Sequence, residues 1–539
     1  MKKGILFIVT VLFVISSCKK KDESPESSSN TTTPTETAAP ITNDPALINF
    51  SGPSYADNYT SIAAWSSRSS WNLANVHDPT VAKSGDYYYM YQTDASYGNA
   101  HEGHGYYPYR RSKDLVNWEF IGMAFSSVPA WVKDSLNIKR ARMSLPAIDN
   151  PSYGFWAPCV RKVGNKYRMY YSVVVTNPIV GSDYNTSWTE RAFIGLAESD
   201  DLASNVWTDK GMVICSEPDG VNTYIRKGGN DWSAYFKFNA IDPSYIVTPE
   251  GEHWLIYGSW HTGIAAVKLD GTTGKPTKLQ AIADYGVRIA GRGNISTNRW
   301  QALEGPEIIY NENTGYYYLF VAYDELSVAY NTRVARSRSI TGPYVGIDGN
   351  SVTNGAECYP MLTHPYKFNN HTGWVGFSHC ALFQNPDTKK WYYASQARLP
   401  RDVPGINVSN AVMLGHVREV EWTEDGWPVI MPERYAGIPS SPISSTFLAG
   451  KWEMITMQYQ YQTMQTSLNI TLTADGKVST PGGSTGTWSF DESKKILTIN
   501  GAKYHVSYGW DWESSPRKLT LTFSGLTAGG LPVWGKRVL

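Results

Sequence analysis

The chain has 539 residues, of which 42% are hydrophobic, 18% charged and 13% aromatic, with 48 basic against 48 acidic side chains. This length exceeds the roughly 250–300 residues that one hydrophobic core supports, so several modules or one large repetitive fold are expected. Zero formal net charge argues against nucleic acid or an anionic membrane surface as a partner, whereas abundant Tyr and Trp favour neutral ligands such as sugars.

The N-terminus has the pattern of a secreted lipoprotein. Lys2 and Lys3 precede an apolar run from Ile5 to Ile15, which is too short to span a bilayer. Small residues then precede Cys18, as at a bacterial lipoprotein processing site. We therefore expect a signal peptide over residues 1–17 and a lipid anchor on Cys18. The expected location is the bacterial outer membrane, facing the exterior; the periplasm, or an ordinary signal peptide with an incidental Cys, is the alternative.

A flexible tether is predicted over residues 18–47, because this stretch is rich in Ser, Thr, Pro and Glu and has too few apolar side chains to fold. The four later cysteines are far apart and form no CxxC pair, which excludes a zinc knuckle or a redox motif. Both disulfides and isolated thiols are compatible with their spacing. They are Cys159, Cys215, Cys358 and Cys380.

From about residue 70 to residue 430 a three-part pattern occurs five times: a short segment with an acid-Pro or similar triplet, an aromatic strand, and a strand with small and polar residues. The triplet segments are HDPTV from His77, WAPCV from Trp156, IDPSYIV from Ile241, EGPEIIY from Glu304 and SHCALF from Ser378. With Asp78, Pro158, Asp242, Glu304 and His379 as markers, the spacings are 80, 84, 62 and 75 residues. Short aromatic strands repeated at this interval predict an all-β, five-bladed β-propeller over residues 48–437; an array of β-sandwiches would lack the matched triplets.

In a propeller the innermost strands line the channel, so equivalent residues at their starts converge. Asp78, Asp242 and Glu304 are predicted to occupy that position in units one, three and four, and His379 in unit five. Carboxylates brought together raise the pKa of at least one of them, which serves catalysis and penalises stability. Glycoside hydrolysis needs one carboxylic acid and one carboxylate, and a third acid nearby can keep the proton donor protonated, so the count of three matches this chemistry.

These motifs, in this order and spacing over about residues 48–440, resemble glycoside hydrolase family 43, five-bladed propeller enzymes that cut arabinan, xylan and related chains with inversion. The resemblance implies that Asp78 is the general base, Asp242 the pKa modulator and orienting group, and Glu304 the general acid. Inversion would place base and acid roughly 6.5–9.5 Å apart, to admit a water molecule.

Within that family, the NAID, YGSW and GHVREVEW stretches are similar to those of endo-acting α-1,5-L-arabinanases. The similarity implies that sugar contacts come from Asn239, Ser259, Trp260 and His261, and that Trp156 forms a stacking wall. Packing between blades is the alternative role for Trp156. A calcium ion held with waters by His379 is also implied, although imidazole is an unusual ligand for this hard cation. A hydrogen-bonded core histidine is the alternative there.

A second module is predicted after a linker at residues 438–445. Short runs of alternating apolar and polar residues indicate a small antiparallel β-barrel over residues 446–539. It resembles the lipocalin-like domain appended to some larger arabinanases, and its tryptophans are expected in the core and interface rather than on a sugar-binding platform.

The sequence thus predicts a monomeric, lipid-anchored endo-arabinanase acting on arabinan. An exo-acting arabinofuranosidase or β-xylosidase of the same family is the first alternative, since cleft and pocket cannot be told apart from sequence. A non-catalytic glycan-binding lipoprotein is the second, and the three retained carboxylates count against it.

Overall fold

The structure, a computed structural model, describes residues 40–94, 101–142, 144–176, 191–217, 236–293, 301–368, 371–400 and 413–539. The predicted signal peptide, Cys18 and the tether up to residue 39 lie outside these described residues. The predicted tether extends to residue 47, but its last residues pack: Ile41 and Leu47 are buried, and a short helix, α1, occupies Pro45–Ile48. The ordered chain therefore begins before the predicted boundary.

Helix is scarce in the described chain. Besides α1, the one longer helix is α2 at Trp131–Arg142, and neither has the length and apolarity needed to cross a bilayer. Within the described residues, five short 3-10 helices occupy Thr60–Ile62, Trp65–Ser70, Ile282–Tyr285, Val352–Asn354 and Ser445–Phe447. The all-β prediction is confirmed.

The first two sheets each have four antiparallel strands in sequence order. The first contains β1 (Thr80–Ser84), β2 (Tyr87–Tyr91), β3 (Tyr106–Ser112) and β4 (Glu119–Phe125). The second contains β5 (Tyr153–Val163), β6 (Lys166–Val175), β7 (Ala192–Ser199) and β8 (Thr208–Cys215).

The next two sheets complete this region. One contains β9 (Ser244–Val247), β10 (His253–Tyr257), β11 (Ile264–Leu269) and β12 (Val287–Ala290). The other has seven strands: β13 (Leu303–Asn311), β14 (Tyr316–Tyr323), β15 (Asn331–Ser337), β17 (Val375–Gln384), β18 (Trp391–Arg398), β19 (Leu414–Trp422) and β20 (Pro428–Ile430). Its two halves meet through a single parallel pair, Asn331 with Phe377, so the seven strands divide into a group of three and a group of four.

The aromatic strands predicted as the second strand of each repeat are β2, β6, β10, β14 and β18. Most of their side chains are buried, in four hydrophobic clusters between neighbouring sheets. The aromatic excess of the sequence therefore serves packing.

A one-residue bulge lies at the start of the second, fourth and fifth repeats. In β5, β13 and β17, the pairing moves by three residues along this strand while it moves by two along the neighbouring aromatic strand. The bulges begin at Trp156, Glu304 and Ser378. The residue that follows each bulge start has a left-handed backbone, at φ 37° in Ala157, 58° in Gly305 and 52° in His379. Asp78 and Asp242 have the same conformation, at φ 47° and 55°, in the first and third repeats.

This bulge corrects the equivalence drawn from the sequence. The positions that correspond to Asp78 and Asp242 are Ala157, Gly305 and His379, whereas Glu304 lies one residue earlier. A proline follows four of the five left-handed residues. Glu304 is the residue at which the bulge of the fourth repeat begins. Acid and base therefore come from two adjacent positions of the repeat.

The first strands of the repeats form a closed circuit. β1 contacts β5 and β17, β9 contacts β5 and β13, and β13 contacts β17. Side chains also join neighbouring repeats at the bulge: Ala157 N–H donates to Thr93 Oγ1 (2.7 Å) and Asp242 N–H to Ser172 Oγ (3.2 Å). Asp78 N–H donates to Gln396 Oε1, which links the first repeat to the fifth.

The C-terminal module is a closed antiparallel barrel of eight strands, which confirms the predicted barrel. Its strands are β21 (Gly450–Thr456), β23 (Leu468–Leu472), β24 (Lys477–Thr480), β25 (Gly483–Asp491), β26 (Ile496–Ile499), β27 (Ala502–Asp511), β28 (Lys518–Leu526) and β29 (Pro532–Arg537). The predicted linker is packed as well, since Ile443 is buried in the barrel core.

The barrel packs closely on the preceding region. Trp534 of β29 is fully buried in the same hydrophobic cluster as Tyr366 and Phe377. A two-stranded parallel sheet joins β16 (Tyr366–Lys367) to β22 (Gln465–Thr466), which lies between β21 and β23. The four later cysteines are buried as free thiols, so the isolated-thiol alternative holds.

Candidate active site

Asp78 lies between two imidazoles. Its Oδ1 is 3.0 Å from His379 Nδ1 and its Oδ2 is 3.2 Å from His77 Nδ1, while Thr93 Oγ1 donates to Oδ2 at 2.6 Å. Burial alone would raise the pKa of Asp78, but the two histidines hold it well below its usual value. Asp78 is therefore an ionised carboxylate, as a base that activates water must be.

Glu304 has a different environment, with three neutral hydrogen-bond donors. Ser259 Oγ and Trp260 Nε1 each donate to Oε2 at 2.9 Å, and Tyr330 O–H donates to Oε1 at 2.8 Å. Burial raises the pKa of Glu304, and the Tyr330 hydrogen bond offsets part of that increase. The donors fix the carboxyl plane and stabilise the carboxylate that remains after proton transfer.

Asp242 lies in the third repeat with its side chain directed at the fourth. Gly305 N–H donates to its Oδ2 at 3.1 Å, and the residue is only 6% exposed. Burial raises its pKa to about 7, with a contribution from the charges of Glu304 and Asp78 that the imidazole of His379 opposes. Asp242 thus shares a proton equilibrium with the other two carboxylates.

His379 lies against Gly305, where an added Cβ would come within 2.9 Å of the imidazole Cγ. Burial would lower its pKa, but Asp78 above all raises it to about 9. Calcium takes six to eight oxygen ligands, and the described residues contain no cluster of three or more His, Cys, Asp or Glu side chains suited to a metal. Calcium at His379 stays a prediction, and the proton transfers of the reaction are assigned to the protein's own carboxyl groups.

Two of the predicted sugar contacts are occupied by protein partners. Ser259 and Trp260 hold the Glu304 carboxyl, so they act on the candidate acid directly. His261 is 5% exposed, and its ring centroid is 5.0 Å from that of Phe236. Trp260 and His261 both have left-handed backbones, at φ 52° and 42°, which turn the chain at this point.

Trp156 and Asn239 lie beside the bulges. Trp156 is half-buried and packs against Val174, Ala192 and Ile241, which leaves part of the indole exposed next to Ala157. Asn239 is 3% exposed and its Oδ1 accepts a hydrogen bond from Ser216 Oγ at 2.9 Å. Trp156 is connected to Asp78 through its neighbour Ala157, whose N–H donates to Thr93 Oγ1, the hydroxyl that donates to Asp78. Asn239 contacts another residue of the protein.

Four residues of the site were missed in the sequence. Tyr330 holds Glu304, Thr93 and His77 hold Asp78, and Gln396 accepts from the Asp78 N–H. Only His77 stands in a recognised motif, as the first residue of HDPT. Gln396 lies on β18 opposite the bulge start at Ser378, and Thr93 follows β2, where its N–H donates to His77 O at 3.0 Å. Knowledge of the strand register would therefore have found them.

The arrangement joins an ionised carboxylate, Asp78, a carboxyl group with a raised pKa, Glu304, and a third carboxyl, Asp242, whose pKa is raised to about 7. This is the set of groups needed to remove a proton from water and to donate one to a leaving oxygen. Among the described residues it lies where the first strands of all five repeats begin.

Comparison with known families and proteins agrees with this chemistry. Residues 73–428 match the family described as Glycosyl hydrolases family 43, and residues 432–535 match a C-terminal lipocalin-like domain. The chain is 28% identical over 494 residues to an extracellular endo-α-(1→5)-L-arabinanase of Thermotoga petrophila, covering 86% of this chain and 94% of the relative. It is 26% identical over 485 residues to extracellular endo-α-(1→5)-L-arabinanase 2 of Bacillus subtilis, covering 86% and 93%.

Among solved structures, a crystal structure of the endo-1,5-α-L-arabinanase of Thermotoga petrophila superposes with a TM-score of 0.66 at 27% identity. The match covers 87% of this chain and 99% of that one, so both modules are included.

Proposed function

The chain belongs to glycosyl hydrolase family 43, and on that premise we propose that it is an endo-acting α-1,5-L-arabinanase that works with inversion. Relatives that span nearly its whole ordered length carry that activity in their names, which supports arabinan as the substrate. The closed circuit of first strands and the left-handed residue at the equivalent position of all five repeats support a propeller of five blades.

The observation that carries the proposal is the contrast between two carboxyl groups. Asp78 is held between imidazoles, whereas Glu304 accepts hydrogen bonds from two hydroxyls and an indole. We assign Asp78 as the base and Glu304 as the acid because the histidines lower the pKa of Asp78, whereas burial raises the pKa of Glu304.

The reaction is a single displacement. Asp78 takes a proton from water as the water oxygen bonds to the anomeric carbon, and Glu304 gives its proton to the departing sugar oxygen as the glycosidic bond breaks. Asp242 adjusts the proton affinity of Glu304. The half-buried Trp156 is assigned to the sugar-stacking wall. The sugar site is also assigned four residues whose known contacts are with other protein groups: Asn239, Ser259, Trp260 and His261.

The extracellular relatives support secretion, and the N-terminal sequence supports an anchor through Cys18. We propose that the enzyme is a monomer anchored in the outer membrane and facing the exterior. Globomycin, which blocks lipoprotein signal processing, should cause the precursor to accumulate in cells that express the full chain, and Cys18→Ser should release the protein from membranes.

A product-size time course tests the activity. The chain without residues 1–18 is incubated with linear 1,5-arabinan, with Asp78→Asn and Glu304→Gln as controls. We expect oligosaccharides of mixed length early in the reaction and almost none from either variant. Arabinose as the sole product would instead indicate an exo-acting enzyme, and binding without products from arabinan or xylan would indicate a glycan-binding protein.

A further inference from the structure

The eight-stranded barrel sends one loop onto the face of the molecule that carries the candidate acid. This barrel loop, residues 457–464, runs between β21 and β22 and contacts the loop Asp324–Tyr330, which joins β14 to β15. Tyr330, the donor to Glu304, is the last residue of that second loop and is 1% exposed.

Three polar side chains of the barrel loop make these contacts. Tyr459 O–H donates to Asp324 Oδ1 at 3.2 Å. Tyr461 O–H and Gln462 Nε2 both donate to Glu325 Oε1, at 3.0 and 3.1 Å. Two consecutive acidic residues at the start of the loop are thus held by the barrel.

Asp324 passes this restraint to the end of the loop. Its Oδ2 accepts from Asn331 Nδ2 at 2.8 Å, and the same Nδ2 donates to Ala329 O at 2.9 Å. The side chain of Asn331 therefore fixes the backbone on both sides of Tyr330. Asp324 is 4% exposed and has a left-handed backbone at φ 67°, so its conformation depends on these contacts.

Two arginines, Arg292 and Arg333, contact the same pair of residues, Asp324 and Asn331. Arg292 Nη1 lies 2.6 Å from Asp324 Oδ1, and Arg333 Nε donates to Asn331 Oδ1 at 2.9 Å. The Arg333 guanidinium also lies over the rings of Tyr459 and Tyr323, at 4.6 and 4.3 Å from their centroids. The barrel loop is therefore joined by hydrogen bonds to the residues on either side of Tyr330, whose hydroxyl donates to the Glu304 carboxyl.

We propose that Tyr459, Tyr461 and Gln462 are positioning residues for the reaction, because they hold the Asp324–Tyr330 loop so that the Tyr330 hydroxyl orients Glu304. The inference rests on the proposed function, since it takes Glu304 as the acid. It gives the appended barrel a part in proton donation to the leaving group.

The test compares the Tyr459→Phe/Tyr461→Phe double variant with Tyr508→Phe. Phenylalanine keeps the ring stacking on Arg333 and removes only the hydroxyl donors. Tyr508 is a matched control: its hydroxyl donates to Pro442 O at 3.1 Å, in the same barrel but away from the Asp324–Tyr330 loop. Each protein is assayed on arabinohexaose and on a 4-nitrophenyl α-1,5-L-arabinotrioside, whose leaving group needs no proton from an acid.

For the double variant we expect kcat on arabinohexaose to fall about tenfold with KM little changed, and kcat on the nitrophenyl substrate to fall less than about twofold. Adding both changes to Tyr330→Phe should lower kcat by no more than about twofold further, because the route through Tyr330 is already broken. Tyr508→Phe should match the wild type on both substrates.

Three results would overturn the inference while the wild type remains active: a double variant that behaves like Tyr508→Phe, equal losses on the two substrates, or losses that multiply with that of Tyr330→Phe. A wild type that cleaves neither substrate would instead refute the proposed function, and the inference with it.

Discussion

At the scale of single residues, catalysis here depends on giving chemically similar carboxyl groups different neighbours. The sequence predicts Asp78, Asp242 and Glu304, because acid residues stand out in a repeated motif. It does not predict Tyr330 or Thr93, because a tyrosine or threonine in a strand or loop carries no signal of its partner. Those donors become visible only when the fold brings together residues distant in sequence.

Glu304 gives the first prediction. Glu304→Gln keeps the shape and the acceptor oxygen but cannot donate a carboxyl proton, so kcat on arabinohexaose should fall more than about a hundredfold. On the nitrophenyl arabinotrioside the fall should be far smaller, since nitrophenolate leaves without protonation. Steady-state kinetics on both substrates measure the difference. Comparable losses on the two would show that Glu304 is not the acid.

Asp242 gives a prediction about stability. Its folded-state pKa, which burial above all raises to about 7, exceeds the unfolded value near 4, so its contribution to stability is fully present below about pH 4 and is lost as pH rises through about 7. Asp242→Asn removes that loss, and the amide oxygen can still accept from Gly305 N–H.

The variant should therefore match the wild type in free energy of unfolding at pH 4 and exceed it at pH 8, by roughly 1–3 kcal/mol. Urea unfolding at the two pH values measures this difference. A variant that is less stable than the wild type at pH 8 would contradict the account.

At the scale of elements, a left-handed residue at the start of each repeat turns the backbone where the candidate catalytic side chains lie. Non-glycine residues with left-handed backbones are rare and cost on the order of 1–3 kcal/mol each, and here Asp78, Asp242 and His379 all adopt that conformation. The sequence could not reveal this, because a residue before proline is normally extended. The repeat was found correctly, but Glu304 was aligned one position away from its true place.

The variant Gly305→Ala tests whether the bulge of the fourth repeat positions His379. At φ 58° an alanine is strained, and its Cβ would come within 2.9 Å of His379 Cγ and 3.0 Å of Nδ1. Gly305→Ala should displace the imidazole from Asp78 and lower kcat more than about tenfold. Gly85→Ala is the matched control, since Gly85 has φ 56° and nothing within 4 Å of an added Cβ.

Both alanine variants should lose about 1 kcal/mol of stability from backbone strain, but only Gly305→Ala should lose activity. Thermal unfolding and steady-state kinetics separate the two effects. Equal activity in the two variants would mean that the bulge does not position His379.

At the scale of the whole molecule, the barrel keeps a core of its own but also shares a hydrophobic cluster with the repeated sheets. The sequence predicts two modules with a linker, and the structure agrees on the barrel, but linker residues are buried and Trp534 lies in the cluster of the other module. Sequence periodicity reports which face of a strand is apolar. It cannot report that one tryptophan of a small barrel fills a neighbouring core.

Trp534→Ala should therefore destabilise both modules together, by about 3–5 kcal/mol. The ring is fully buried and lies 5.0 Å from the centroid of Tyr366. Calorimetry should show one unfolding transition in the wild type and one, at lower temperature, in the variant. Two separate transitions, of which only the smaller moves, would show that the modules are energetically independent.

The most direct measurement of the central claim is a proton NMR time course of arabinohexaose hydrolysis. If Asp78 activates water opposite a bond that Glu304 protonates, internal cleavage should release trimers, dimers and tetramers whose new reducing ends appear first as β-furanose and only later equilibrate. New ends that appear first as the α anomer would contradict the account, and so would arabinose as the only early product.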